Sequence, residues 1–283
     1  MGGPAVNRRD YAERITMKAV VSAPAIVDAF AAVPREVFVG PGPWQLVRFT
    51  DLKYIETIDP SVEHIYDDVV IAIDPARQLN NGQPSAHARW IGAADPRAGD
   101  SVFHLGCGTG YYTAILAETV GATGRVIACD IDADLAARAA ANLTAWPQAT
   151  VFAGDGTDLR GDHDVIYINA GATHARPEWI AALRPGGRLV MPLTTHVPQF
   201  PSHGVGVVVR IERTGGSRWP VSIVSQVGIF DCAGARDPEL ERRMRDLLHV
   251  HRNDTFVVET APHDATPTCL LHADRFCVQV VAA

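Results

Sequence analysis

The 283-residue sequence predicts an α/β fold: a mostly parallel, doubly wound sheet closed by an antiparallel pair, with an N-terminal helical segment and a small C-terminal α+β extension. Three observations carry the prediction. From residue 100, short apolar runs alternate with segments of helical apolar spacing, the pattern of a parallel sheet covered on both faces. The first of those runs ends in a glycine-rich turn that opens a helix. After residue 204, two longer runs are joined across Gly215–Gly216 with no helix between them.

Residues 8–40 read as helical. Within them Pro24–Val33 (PAIVDAFAAV) has helical apolar spacing, and Pro34 and Pro41 punctuate its end. Residues 41–80 hold short β-like runs such as Val69–Ile73 (VVIAI), and Ser85–Ala94 reads as a short helix ending near Pro96. The regular part follows: strand Ser101–Leu105, helix Tyr112–Val120 closed by Gly121, strand Arg125–Cys129, helix Asp134–Leu143, strands Thr150–Ala153 and Asp164–Asn169, helix Trp179–Leu183 and strand Gly187–Pro192. Val205–Ile211 and Val221–Phe230 form the antiparallel pair, Glu239–Val250 a helix, and Thr255–Glu259 with Phe276–Val281 a small terminal sheet. The chain therefore divides into an N-terminal segment (1–95), a core (96–231) and an extension (232–283) packed on that core.

Composition narrows the partners. The formal net charge is −7, whereas a nucleic-acid partner needs a concentrated basic face. The densest basic stretch, Glu239–Arg245 (ELERRMR), mixes both signs and reads as a solvated helix face. The five cysteines are odd in number and show no CxxC spacing, which argues against a disulfide framework or a zinc site and for free thiols in a reducing, cytoplasmic setting. The first residues lack the apolar core of a signal peptide, and no run approaches the roughly 18 apolar residues of a membrane helix, so no membrane partner is expected.

The chemistry concentrates at HLGCGTGYYTA. Gly106, Gly108 and Gly110, with Cys107 and Thr109 between them, let the backbone turn sharply beside a ligand, and the following helix aims its N–H groups there. A dinucleotide turn places its third glycine three residues after the second. Here that position is Tyr111, which favours S-adenosylmethionine over NAD. Asp130, followed by Ile131, ends the next strand, where a carboxylate can hold two ribose hydroxyls; a helix cap is its alternative role, and Asp132 or Asp134 can equally supply that cap. Asp155 and Gly156 follow the third strand, where an acid can accept from an adenine amino group or simply hold a turn. Asn169 ends the fourth strand on the same side. Residues at the carboxyl ends of successive strands converge on one crevice.

Three stretches together resemble the protein-L-isoaspartate O-methyltransferases, over roughly residues 25–195: Ala29–Val39 (AFAAVPREVFV), Val102–Glu118 (VFHLGCGTGYYTAILAE), and Asp164–Pro192 ending in LRPGGRLVMP. The resemblance implies a Rossmann-like class I methyltransferase fold, S-adenosyl-L-methionine as cofactor, and O-methylation of a carboxylate on a protein or peptide. Two departures stand out. His104 occupies the place of an acid that meets the cofactor's ammonium group; as a neutral imidazole it can still bind the cofactor by accepting a hydrogen bond, a buried core histidine being its alternative role. The family's Thr-Ile-Ser-x-Pro acceptor loop becomes Asn80-Asn81-Gly82-Gln83-Pro84-Ser85, putting Gly82 in the serine position. Asn80, Asn81, Gln83 and Ser85 are the expected acceptor contacts, since amides and hydroxyls can grip a carboxylate. A carboxylate is already ionised at neutral pH, whereas a phenol or alcohol needs a base. His174, His196 and His203 follow strands as candidate bases, His174 first among them. A methyltransferase acting on a small molecule or a ribosomal peptide, and a non-catalytic cofactor-binding homologue, are the alternative functions.

Overall fold

The computed structural model describes residues 7–48, 50–51, 53–198, 200–247 and 255–281. The chain opens with three helices, α1 (Arg8–Ala19), α2 (Pro24–Ala32) and α3 (Glu36–Val39). Asn7 starts α1 by accepting from the Arg9 and Asp10 amides, and a proline opens α2 where no amide is needed. Two small antiparallel ribbons follow: β1 (Gln45–Arg48) with β2 (Lys53–Glu56), and β3 (Ala72–Asp74) with β4 (Leu79–Asn80). The first was not legible, because its residues are half-buried or exposed and show no apolar alternation. Helix α4 (Pro84–Ala94) then leads into the core.

The core runs β5 (Ser101–Leu105), α5 (Tyr111–Val120), β6 (Arg125–Asp130), α6 (Ala133–Asn142), β7 (Ala149–Ala153), β8 (His163–Ile168), α7 (Pro177–Ala182) and β9 (Leu183–Val197). β10 (Phe200–Glu212), β11 (Arg218–Ile229), α8 (Pro238–Leu247), β12 (Thr255–Glu259), β13 (Cys269–Ala273) and β14 (Phe276–Val281) complete it. One ten-stranded sheet takes the order β13-β14-β12-β11-β10-β9-β8-β5-β6-β7. β7, β6, β5, β8 and β9 are parallel, and everything beyond β9 is antiparallel. No described helix is long and apolar enough to cross a membrane.

Successive residues of the parallel strands enter opposite faces, and both faces of the central strands β5 and β8 are buried. Val102 and Tyr167 pack beneath α1, α2, α4 and α5, while Phe103, Ile166 and Ile168 join Trp179 and Leu189 in a second core on the other side. This is the expected α/β architecture, with two differences. The antiparallel part is more than a closing pair, and the terminal strands continue the main sheet instead of forming a separate one. The cause is β11, whose outer backbone edge pairs with β12 from Arg218↔Glu259 to Val221↔Phe256. β9 also starts earlier than Gly187, because Leu183 already pairs with His163 and ends α7 in an extended conformation. The expected helix Glu239–Val250 is found to Leu247, and its last three residues lie outside the described residues.

The VPRE segment has a structural job. Fully buried Arg35 lies near the rings of Tyr11 and Tyr111, and donates to the carbonyls of Ile65 (2.5 Å), Asp67 (2.9 Å) and Val69 (2.6 Å). It thereby fixes the 65–69 segment, including Asp68, against the start of α5.

Candidate functional site

At the carboxyl ends of β5, β6 and β8 lies a cavity of about 810 Å³. One wall is the turn from Gly106 to Thr109, with Tyr111 and Tyr112 from the start of α5. Gly106 has φ +75°, and a Cβ there would sit 2.9 Å from the Asn169 carbonyl oxygen, so only glycine lets β5 and β8 close at this point. Asn169 donates its amide to the Gly106 carbonyl (3.2 Å), while its Oδ1 is buried without a partner. Asp130, Ile131 and Asp155 also line the cavity.

The two roles open for Asp130 separate cleanly. Asp132 caps α6, accepting from the Asp134 and Leu135 amides, and ion-pairs with Arg77. Asp130 instead accepts from the amides of Gly108 (2.8 Å) and Asp132 (3.0 Å), which aims its carboxylate across the glycine turn. Burial raises its pKa, and those two N–H groups oppose the shift. Asp155 accepts from Thr157 Oγ1 (2.7 Å) and the Thr157 amide (3.1 Å), bonds that lower its pKa, so it holds its own turn as well as facing the cavity.

The opposite wall is the acceptor loop. Asn80, Asn81 and Gln83 line the cavity. Asn80 Oδ1 accepts from the Gly82 amide at 2.9 Å, and Asn81 Oδ1 from the Ile71 amide at 2.9 Å, leaving the buried Asn81 Nδ2 unpartnered. Asp68 clasps the loop from behind, accepting from Gln83 Nε2 (3.0 Å), the Ser85 amide (2.9 Å) and Ser85 Oγ (2.7 Å). Ser85 is therefore spent on holding the loop and does not line the cavity.

The protein-L-isoaspartate(D-aspartate) O-methyltransferase (PCMT) family model matches residues 7–203. The chain belongs to this family. It is 28% identical over 194 residues to the protein-L-isoaspartate O-methyltransferase of Pyrobaculum neutrophilum, covering 66% of this chain and 84% of that protein. A solved protein-L-isoaspartate O-methyltransferase superposes with a TM-score of 0.65 at 19% identity, over 97% of this chain and 88% of its own. A putative family member from Plasmodium falciparum, solved with S-adenosyl-L-homocysteine, gives 0.58 at 15% identity, over 80% and 98%. Coverage of 97% places the C-terminal strands inside a fold that a solved relative shares.

Within this family member the histidines are placed differently from the expectation. His104 is fully buried behind the turn and does not line the cavity; its Nδ1 pairs with Thr113 Oγ1 (2.9 Å) and its Nε2 has no partner. Burial pushes its pKa down to about 3, so it is a neutral core group. Gly110 and Gly156 also lie off the cavity, Gly110 against Ala139 and Leu143 of the α6 end, Gly156 against Leu105. His174 pairs with Thr173 Oγ1 (3.0 Å) away from the cavity, and His196 is held between Glu241 (2.7 Å) and Asp231 (3.0 Å). Position thus removes His174 as a base at this site. His203 does line the cavity.

His87, on α4, was missed. It lines the cavity, stacks on Tyr112 (3.6 Å between centroids, 4° between planes) and bonds Tyr167 through Nδ1 at 2.8 Å. Its Nε2 fills the space beside Gly82, where a Cβ would approach it to 2.3 Å. The imidazole therefore takes the volume that a serine at position 82 would need. Its signal in the sequence was faint: a histidine at helical spacing after Pro84, on a face that otherwise reads as core.

Proposed function

We propose that this chain transfers a methyl group from S-adenosylmethionine to a carboxylate on a protein or peptide, with an isoaspartyl side chain as the acceptor. The observation that carries the reading is the shared cavity, with the glycine turn, Asp130 and the unpartnered Asn169 Oδ1 on one flank and the Asn80–Gln83 amides on the other. Family membership supports it, as do relatives that bear the isoaspartyl methyltransferase name. S-adenosylmethionine supplies an electrophilic methyl group on a sulfonium. Backbone amides at Gly106–Thr109 hold its methionyl end, Asn169 Oδ1 accepts from its ammonium group in place of the acid missing at position 104, Asp130 takes the ribose hydroxyls, and Asp155 with Ile131 borders the adenine. Asn81 Nδ2 and Gln83 Nε2 orient the acceptor. A carboxylate attacks without prior deprotonation, so the protein's contribution is alignment and exclusion of water, worth up to roughly 7–11 kcal/mol. In the same reading residues 1–95 supply the acceptor loop, 96–231 the cofactor site, and 232–283 an extension packed on the core.

The test is methyl transfer from labelled S-adenosylmethionine to an isoaspartyl peptide and to its aspartyl counterpart, alongside calorimetry with S-adenosylhomocysteine. Labelling of the isoaspartyl peptide alone is expected. Tight S-adenosylhomocysteine binding without peptide labelling would overturn the acceptor assignment, and absence of binding would overturn the cofactor site itself.

A further inference from the structure

We infer that the C-terminal extension carries a structural zinc site formed by His263, Cys269, His272 and Cys277. Their ligand atoms all lie within 4.8 Å of one another, and both cysteines are buried free thiols. The sequence argued against zinc because no CxxC spacing exists. Strand register supplies what spacing lacks: in the β13–β14 hairpin, His272 pairs directly with Cys277, and Cys269 lies opposite Gln279. The loop before β13 returns His263, whose Nε2 is 3.5 Å from Cys269 Sγ and whose ring is 4.9 Å from that of His272.

The surroundings are those of a metal site. His263 Nδ1 lies 2.9 Å from the Ala261 carbonyl, which fixes the proton on Nδ1 and leaves the Nε2 lone pair facing the cluster, as in metal-ligating histidines. His272 Nδ1 is buried with no hydrogen-bond partner. The Thr266 amide donates to Cys269 Sγ at 3.3 Å, and Gln279 Nε2 approaches Cys277 Sγ at 3.6 Å and Cys269 Sγ at 3.9 Å, donors that suit thiolates. Two sulfurs and two imidazoles within this radius make a tetrahedral S₂N₂ set, the preference of zinc. Zn–S bonds near 2.3 Å and Zn–N bonds near 2.0 Å need ligand atoms roughly 3.3–3.8 Å apart, so modest side-chain rotation closes the site. Binding is a simple exchange: Zn²⁺ enters, two thiol protons leave, and nothing is oxidised or reduced. β12, β11, β10, β9 and β8 lie between this hairpin and the strand that carries the glycine turn. The metal therefore secures the 261–268 loop and the sheet's end without touching the cavity.

The full-length chain, grown with zinc and dialysed, should hold one zinc per molecule by plasma mass spectrometry. Replacement with Co²⁺ should give thiolate charge-transfer bands and strong tetrahedral d–d bands. Cys277→Ser and His272→Gln should lose zinc, Cys129→Ala should keep it, and chelation should lower Tm while leaving S-adenosylhomocysteine affinity unchanged. If a variant misfolds, the wild-type cobalt spectrum and protection of two thiols from alkylation decide alone. Wild-type protein with no zinc above the buffer blank and no tetrahedral cobalt spectrum would overturn the site. So would a Cys269–Cys277 disulfide in freshly purified protein, or retention of zinc by the Cys269→Ser/Cys277→Ser double variant.

Discussion

Asp130 and Gly82 show how much one side chain decides. Asp130 does not cap a helix, so its buried carboxylate is free to serve a ligand, and Asp130→Ala should weaken S-adenosylhomocysteine binding at least tenfold, about 1.4 kcal/mol, by calorimetry. Unchanged affinity would remove Asp130 from the cofactor site. Gly82 has φ +72° and His87 against it. Gly82→Ser alone should therefore lower Tm, and adding His87→Ala should recover part of the loss by clearing the 2.3 Å clash while leaving the backbone strain. A double variant no more stable than the single one would show that strain, not the imidazole, excludes serine. Asp130 was legible because its strand-end position is dictated by the β–turn–α pattern. His87 was not, because nothing local says that a core-facing imidazole borders a cavity; only the return of the 80–83 loop over α4 reveals it. Buried histidines also set a pH response. His104, with its pKa near 3 against an ordinary 6.5, is neutral when folded and takes up a proton on unfolding. Its contribution is present above pH 6.5 and is lost as pH falls toward 3, at about 1.4 kcal/mol per pH unit at most. Stability measured by denaturant should decline from pH 6.5 toward about 5, before most carboxylates protonate, and His104→Gln should flatten that slope. An equal slope in the variant would assign the effect to other groups.

Strands and helices of the core could be read from the chain because both faces of the central parallel strands β5 and β8 are buried, which writes continuous apolar runs. The ribbon β1–β2 has no buried face, and β13 shows mixed burial with Cys269 and His272 among its residues, so neither announced itself. The acceptor loop depends on elements distant in sequence. Arg35 reaches from the end of the helical segment to three carbonyls at 65–69, and Asp68 within that stretch holds Gln83 and Ser85. Arg35→Met should leave those carbonyls without donors, at roughly 1–3 kcal/mol for each left unsatisfied. Where the variant still folds, KM for an acceptor peptide should rise several-fold while S-adenosylhomocysteine affinity changes little, because the glycine turn is built on β5 and α5. Equal loss of both would mean that Arg35 supports the whole domain and not the loop.

The sheet as a whole explains why the chain does not stop where the cofactor site is complete. Family-model similarity ends at residue 203, in β10, yet β10 pairs with β11, β11 with β12, and β12 with β14 in one unbroken ladder. The apolar faces of these last strands belong to the same core as the parallel strands: Trp219, Val258, Leu271, Phe276 and Val278 cluster with Phe103, Ile166 and Leu189. Ending the chain after residue 254 would strip β12, β13 and β14, expose those residues, and leave the outer edge of β11 with unpaired N–H and C=O groups, a template for association between chains. Such a truncation should sediment as oligomers or aggregate under conditions where the full chain does not, and should lose Tm even with S-adenosylhomocysteine bound. Light scattering and sedimentation velocity test this directly. A monodisperse truncation with full methyl transfer would mean that the terminal strands are an ornament on a core that already closes by itself, and the continuity of the ladder would then carry no energetic weight.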